Sequence, residues 1–283
     1  MVRHILVQLP RSEAERPSVL GPMVTDRKRR ALQLFLLLLT LQPYLQAQED
    51  KGEQPLTAGV YARALTTETG RKWTTSQISA ALRDLEDRGL IERRRLPHGL
   101  VVLPRREDGK AGYTKPGLVK NDRWETYFVL PPEFWTDEWF EKLSLPGLAM
   151  LLIIASETSN DSEVWLTNKD AAKWYGMSER TIQAGITDLR KHGLVDVDVR
   201  WSKAPLSTIG ATARHYYRLT GPFSHEDRAK LRRKTQADLR KRILEADSAS
   251  VQPKKKQSKK RLRKKSSTSA PKPPATEVIT NND

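Results

Sequence analysis

The sequence contains no cysteine, and this absence excludes several classes of site at once. Disulfide-stabilised folds, cysteine-type zinc fingers, iron–sulfur clusters and thiol catalysis all require that residue. Long apolar runs are also missing, because the strongest one, residues 31–41, is too short to span a bilayer. It follows a basic run and lies too far from the start for a signal peptide, so we interpret it as a buried helix. We therefore expect a cytoplasmic protein with no membrane partner.

Sequence motifs for catalysis and for cofactors are scarce too. No phosphate-binding loop of the G-x-x-x-x-G-K-[ST] type occurs, and the five histidines are scattered without metal-ligand spacing. Tyr216 and Tyr217 stand beside Arg and His residues, but a DNA-cleaving tyrosine needs further partners that we cannot assign. We therefore predict that the protein is not an enzyme and has no cofactor, no metal and no small-molecule ligand.

Basic residues are abundant instead. The chain has 50 Lys and Arg residues against 34 Asp and Glu residues, a formal charge of +16. Residues 246–283 contribute +7 of this charge, so the preceding 245 residues are basic by themselves. Such a balance attracts polyanions, above all nucleic acid. The concentrated lysines of 246–283 favour a disordered basic tail with salt-dependent affinity for DNA, and a merely solubilising end is the alternative.

Local sequence signals predict a mainly α fold with small β-hairpins (α+β), arranged as two tandem domains. In each domain three helical segments are followed by a hairpin. The predicted segments are an extended arm at 1–25, a first domain at 26–106 that begins with Asp26 as a helix cap, a linker at 107–123, a second domain at 124–223 with an aromatic lead-in, a basic helix at 224–245, and the disordered basic tail at 246–283.

An internal repeat supports this division into two domains. The segment WTTSQISAALRDLEDRGLIE aligns without gaps with MSERTIQAGITDLRKHGLVD, which lies 104 residues further along the chain. The identical pairs are Ile78/Ile182, Ala80/Ala184, Asp84/Asp188, Leu85/Leu189, Gly89/Gly193 and Leu90/Leu194. Repetition of a whole supersecondary unit indicates that both domains share one fold.

Each copy of the repeat has the pattern of an amphipathic helix, predicted over 75–88 and over 178–192. In the second copy Ile182, Ile186 and Leu189 recur at i, i+4 and i+7, so they face inward and leave polar side chains on the opposite face. Ser178 is the predicted N-cap, and Gly193 permits the left-handed turn into the hairpin. A helix of this kind fits the major groove of B-DNA.

The second copy resembles the recognition helix of winged helix-turn-helix DNA-binding proteins of bacterial and mobile-element type. The tandem winged-helix layout is similar to that of transcriptional regulators and plasmid replication initiators. The resemblance implies a sequence-specific binder of double-stranded DNA, most simply a transcriptional regulator that is nucleoid-associated. A replication initiator of a plasmid or integrative element, which binds repeated origin sites, is the alternative. A non-specific nucleoid-type DNA binder is a further one.

Candidate DNA contacts lie on the two helix faces and on the basic hairpins. Arg180 and Gln183 suit bidentate readout of base edges, whereas Thr181 and Lys191 suit phosphates. The predicted DNA-binding residues are Ser76, Gln77, Arg83, Arg93, Arg94, Arg95, Arg180, Thr181, Gln183, Lys191, Lys203 and Arg214.

Protein–protein contact is the competing interpretation of the same features. Winged-helix modules also bind proteins, so a homodimer stays open. For Trp124, Trp135 and Trp139 we predict packing between the two domains, or a dimer contact, rather than stacking on unpaired bases.

Overall fold

The computed structural model describes residues 1–10, 12–13, 16–68, 70, 72–117, 122, 124–206 and 208–250, with the backbone alone at 239 and 242–250. Met1–Asp238 form one compact unit, and Leu239–Asp283 form a second. The described part of the second unit is helical backbone. The predicted tail beyond residue 250 lies outside the described residues.

The fold mixes α-helices with short β-strands. The helices are α1 Leu20–Thr25, α2 Arg29–Asp50, α3 Ala58–Leu65, α4 Thr75–Asp87, α5 Glu133–Thr136, α6 Trp139–Lys142, α7 Leu145–Glu157, α8 Asn168–Tyr175, α9 Glu179–Lys191 and α10 His225–Ser250. The strands are β1 Val2–Arg3, β2 Ile91–Leu96, β3 Gly99–Pro104, β4 Tyr127–Phe128, β5 Val164–Trp165, β6 Val195–Lys203 and β7 Ala211–Leu219.

The same order of elements occurs twice, in a first half from α2 to β3 and a second half from α7 to β7. In each half three helices precede an antiparallel ribbon, which we call the first ribbon (β2 and β3) and the second ribbon (β6 and β7). Strand β5 adds to the second ribbon in the order β5-β7-β6, and β1 pairs with β4. The bounds of α4 and α9 differ by the 104 residues of the sequence repeat and agree with the predicted helices.

A single hydrophobic core runs through both halves. The apolar run of α2 is buried over residues 31–39, as predicted, and Gln33 within it is buried too. The Gln33 amide donates to the carbonyl oxygen of Phe140 at 2.7 Å and to the Glu141 carboxylate at 3.0 Å. A buried amide needs such partners, so Gln33 fixes α2 of the first half against α6, which leads into the second.

The first 25 residues differ from the extended arm that we expected. They form β1, a 3₁₀ helix at His4–Leu6 and α1, and most of their apolar side chains are fully buried. Helix α1 packs against α2 and α7, which supply an apolar surface that the local sequence does not reveal. Asp26 is the C-cap residue of α1 and pairs with Arg88 at 2.5 Å, whereas Lys28 occupies the N-cap position of α2. The prediction of Asp26 as a cap for α2 was wrong.

The predicted linker contributes to a buried ion cluster around Arg3. The Arg3 guanidinium is fully buried and contacts Glu107 at 2.7 Å and Glu125 at 2.8 Å. It also donates to the hydroxyl group of Thr114 at 2.7 Å. The polar and charged residues of this segment predict a loop. In the structure Glu107 instead contacts Arg3 of β1, which lies more than 100 residues earlier in the chain.

Helix α10 is attached to the second half through another buried arginine. The Arg228 guanidinium donates to the carbonyl oxygen of Ala155 at 2.7 Å and to that of Thr158 at 3.1 Å. These acceptors lie in the last turn of α7, where carbonyl groups have no partner within the helix. Burial lowers the pKa of Arg228 to about 10, so the side chain stays charged at neutral pH and complements the helix C-terminus.

Candidate nucleic-acid interface

Helices α4 and α9 begin at side-chain caps and end at left-handed glycines. Thr74 accepts a hydrogen bond from the backbone of Gln77, and the Gln77 side chain accepts one from Thr74 in return. Ser178 accepts from the backbone N–H of Thr181 at 3.1 Å. Gly89 and Gly193 follow the helices at φ of 69° and 66°, a conformation that favours glycine. In both halves the chain then enters its ribbon at equivalent positions.

The inward and outward faces of these helices follow the predicted periodicity. Ile182, Ile186 and Leu189 are buried, as are their counterparts in α4. The outward faces carry polar side chains around one small residue, Ala80 in α4 and Ala184 in α9, and both alanines are exposed. A small exposed residue at the centre of a helix face permits close approach of a flat or grooved partner.

A shallow groove of about 530 Å³ runs along the outward face of α9. Among the predicted residues, Arg180, Gln183 and Lys191 line it together. Gln183 accepts a hydrogen bond from the Asn168 side chain at 3.0 Å, which holds its exposed amide at the groove and leaves a second lone pair of the oxygen and both N–H groups for a ligand. Thr181 is absent from the groove and half-buried, because its hydroxyl contacts that of Ser178 at 2.8 Å. The structure therefore brings three of the four α9 candidates together.

The outward face of α4 offers fewer unoccupied side chains. Ser76 and Arg83 are exposed, and Ser76 contacts the Thr74 hydroxyl at 2.9 Å. Gln77 is half-buried, and its side-chain oxygen is occupied by the cap of the helix. Arg83 makes no ion pair within the described residues, so it is the cation of this face that a ligand would meet.

The arginines of the first ribbon are unequal. Arg93 pairs with Glu86, and this hydrogen bond holds the pKa of the Glu86 carboxyl below its usual range. Arg94 pairs with Glu49 of α2 and, at 3.0 Å, with Glu92. Arg95 is exposed and has no ion pair in the described chain. Sequence reasoning placed all three at the interface, but partners from other elements neutralise two of them.

The second ribbon divides its charges in a similar way. Arg200 contacts Glu163 at 2.6 Å and Asp198 at 2.7 Å, so it neutralises a carboxylate that would repel phosphate. Lys203 and Arg214 are exposed, and the Arg214 guanidinium lies 4.9 Å from the ring centre of Trp165. Both predicted cations of this ribbon are therefore available to a ligand, and Arg214 is held in place by the indole ring.

A second groove, which sequence reasoning missed, lies where α2 begins beside α4. It has a volume of about 340 Å³ and is lined by Gln77, Ala80 and the basic run 27–30. Arg30 is exposed and lies 5.7 Å from the ring centre of Trp73. In the sequence this run stands out only because it precedes the apolar residues of α2. Four consecutive cations at the start of a helix that packs on α4 were the signal for a phosphate contact.

The repeated aspartates join each outward-facing helix to the first helix of its half. Asp84 contacts the ammonium group of Lys28, the N-cap residue of α2, at 2.7 Å. Asp188 accepts from the backbone N–H of Ser144, the N-cap residue of α7, at 2.8 Å, and from its hydroxyl at 2.7 Å. Sequence reasoning recorded this identity without a role, and the contacts show that it is structural.

The aromatic lead-in packs inside the protein. Trp135 and Trp139 are half-buried against the core, with the Trp135 ring 4.9 Å from that of Phe134. The Trp139 ring lies 5.8 Å from the His192 ring at the end of α9. Trp124 is half-buried beside the Arg106 guanidinium, at 5.4 Å. Of the three rings, Trp139 is the one that contacts the end of α9.

The described residues offer neither a metal site nor a membrane span. No group of three or more His, Asp or Glu side chains in the described ranges could hold a metal ion. None of the helices there has both the length and the apolar content that crossing a bilayer requires. The chain matches no known protein-family model, and no curated protein is significantly similar to it in sequence.

Proposed function

We propose that the chain binds double-stranded DNA through two winged-helix modules, formed by the first and second halves. The observation that carries this proposal is the repetition of one unit: a capped helix with a polar outward face, followed by a ribbon with exposed cations. In such a unit the helix reads base edges in the major groove while the ribbon contacts the backbone. The strand order β5-β7-β6 in the second half also supports a winged-helix fold.

Helix α9 offers the better base-reading surface. Arg180 suits the two acceptors of guanine, and Gln183 suits the donor and acceptor of adenine. Ala184 lines the same groove and is exposed, so it allows the helix axis to come close to the base pairs. Arg27, Arg30 and Arg83 are exposed and provide phosphate contacts in the first half.

Selection from a genomic-fragment library at two salt concentrations tests the proposal. We expect one sequence motif to be enriched and to survive the higher salt, because base contacts do not depend on counterion release. Uniform binding that disappears at the higher salt would contradict specific recognition and leave the charge-driven alternative.

Substitution of Arg180 then tests the assigned helix. Arg180→Ala should weaken binding by about 1–3 kcal/mol and relax the motif at one position. Lys51→Ala is the matched control, because it removes one exposed positive charge from the end of α2. An equal loss from both variants, with an unchanged motif, would show that Arg180 contributes charge alone.

The same selection separates regulator from initiator. A single motif in a promoter favours a transcriptional regulator. Motifs repeated at even spacing beside the gene favour the initiator, since both outward-facing helices lie in one compact unit and one chain can then contact two adjacent sites.

A further inference from the structure

The distal half of the second ribbon projects beyond the core. The two strands pair over nine residues each, from Val195 opposite Leu219 to Lys203 opposite Ala211. Val195 and Val197 of β6 contact the core, as do the residues opposite them, Leu219 and Tyr217. Trp201 lies on the same face of β6 but is 66% exposed. The packed core therefore supports the base of the ribbon and not its outer half.

The tip of this ribbon carries the most exposed large apolar side chains in the described chain. Leu206 is fully exposed, and Ile209 is 73% exposed. Together with Val199 and Trp201 they give the distal ribbon an apolar face and an apolar tip. A cluster of this kind marks a contact surface, because isolated apolar residues are common on proteins but grouped ones are not.

The charge around these residues indicates what they contact. Residues 199–215 contain three cations and no Asp or Glu. Arg200 is neutralised by Glu163, whereas Lys203 and Arg214 are exposed. Two copies of such a tip would bring like charges together, whereas a polyanion would be attracted. A basic ribbon with an apolar tip matches the minor groove of DNA, where apolar wedges enter between base pairs.

We infer that the distal second ribbon enters the minor groove and inserts Leu206 and Ile209 between base pairs, bending the duplex. The inference rests on the proposed DNA binding and adds a deformation to it. Helix α9 leads into β6 through Gly193, so the ribbon lies next to the helix assigned to the major groove. Unstacking a base step costs free energy, which the additional contacts of a bent duplex offset.

The test measures bending of the enriched duplex by energy transfer between dyes at its two ends. The variant is the double substitution Leu206→Ser with Ile209→Ser, in the full chain. Because neither side chain is buried, we expect the variant to fold as the parent does. It should lose the bend and bind about tenfold more weakly. Its salt slope should be unchanged, since no charge is removed.

Two further variants make the result specific. Tyr44→Ser removes an aromatic side chain that is 51% exposed on α2, and it should leave the bend and the affinity unchanged. Lys203→Gln should keep the bend and reduce the salt slope by about one. This contrast separates insertion of an apolar wedge from attraction by charge.

Several outcomes would overturn the inference. Equal bending by the parent and by the Leu206/Ile209 variant would show that the tip does not enter the duplex. A parent that sediments as a dimer and a variant that sediments as a monomer would assign the tip to contact between two copies. If the parent binds no duplex at all, the proposed function itself fails, and that result is distinguishable from binding without bending.

Discussion

Helices α4 and α9 have the same length and the same kind of ends, whereas the ribbons that follow them differ. Both helices have thirteen residues, a side-chain cap and a left-handed glycine at the end. The first ribbon pairs six residues per strand and turns within two residues, while the second pairs nine and ends in an exposed apolar loop. The repeated unit thus keeps the helix constant and varies the ribbon.

This difference indicates where the two halves specialise. Helix geometry is determined by local rules of capping and periodicity, so a repeated sequence gives a repeated helix. Ribbon length is determined by turn sequence and by contacts beyond the core. We therefore expect the two halves to contact DNA in the same mode but with unequal contributions from their ribbons.

The largest expected loss of stability comes from substitution of Arg3, which contacts the segment that follows β3. Arg3→Met should destabilise the protein by about 3–5 kcal/mol, because Glu107 would be left buried without a counter-charge. Urea unfolding of the full chain measures the change. Lys51→Met removes a cation paired with Glu53 at 3.7 Å in an exposed position and serves as the control. Similar midpoints for both variants would contradict the role of the cluster.

The neighbouring residue, His4, should make the contact with the second half sensitive to acid. Burial lowers the pKa of His4 to about 4, and its ring contacts the Ser156 hydroxyl of α7 at 2.7 Å. The unfolded chain takes up a proton near pH 6.5, so stability should fall as the pH drops from about 6.5 towards 4, by about 3 kcal/mol in all.

Unfolding midpoints measured between pH 7 and 5 test this expectation. His4→Gln should flatten the curve, whereas His98→Gln, at an exposed position of the first ribbon, should leave it unchanged. An unaltered curve for His4→Gln would mean that the ring takes up its proton as readily in the folded as in the unfolded chain.

A smaller loss of stability should show how closely α9 crosses α7 in the second half, compared with α4 and α2 in the first. A Cβ atom on Gly185 would overlap the Pro146 carbonyl group of α7, while the equivalent position in α4 is Ala81, which is buried without such a clash. Gly185→Ala should cost about 1–3 kcal/mol through overpacking. Ala81→Gly should cost about 1 kcal/mol through helix propensity.

Thermal unfolding of these two variants gives the comparison. A stabilised Gly185→Ala variant would show that α9 and α7 have room to separate, and that the closer crossing is not required. An Ala81→Gly loss larger than that of Gly185→Ala would reverse the order that the geometry predicts.

The smallest effect concerns the repeated aspartates. Asp188→Ala should cost about 1–2 kcal/mol, because the N–H and hydroxyl groups of Ser144 lose their acceptor. Asp84→Ala should cost less than about 1 kcal/mol, because the Lys28 pair is one-third exposed. The two changes are identical in helix propensity, so their difference in urea midpoint measures the contacts of the two carboxylates, which for Asp188 include His192 at 3.5 Å. Equal midpoints would make the two anchors equivalent.

The predicted interface residues separate into those that local pattern determines and those that distant partners decide. The helical period was enough to place Arg180, Gln183 and Lys191 on one face. It was not enough for Arg94, because its partner Glu49 lies 45 residues earlier on α2. Nor does the helical period show that the Thr181 hydroxyl contacts that of Ser178 at the helix cap. A basic side chain in a sequence therefore indicates a charge but not whether that charge is available.

The sequence by itself determined the helices of the repeat, their caps and their terminal glycines, because these depend on residues within one or two turns. It also determined the positive charge and the buried run of α2. Only the tertiary structure decided that the first 25 residues belong to the core and that the segment after Pro104 surrounds Arg3. The contacts of Arg3 join residues more than 100 positions apart, and no local pattern encodes which buried charge will meet which partner.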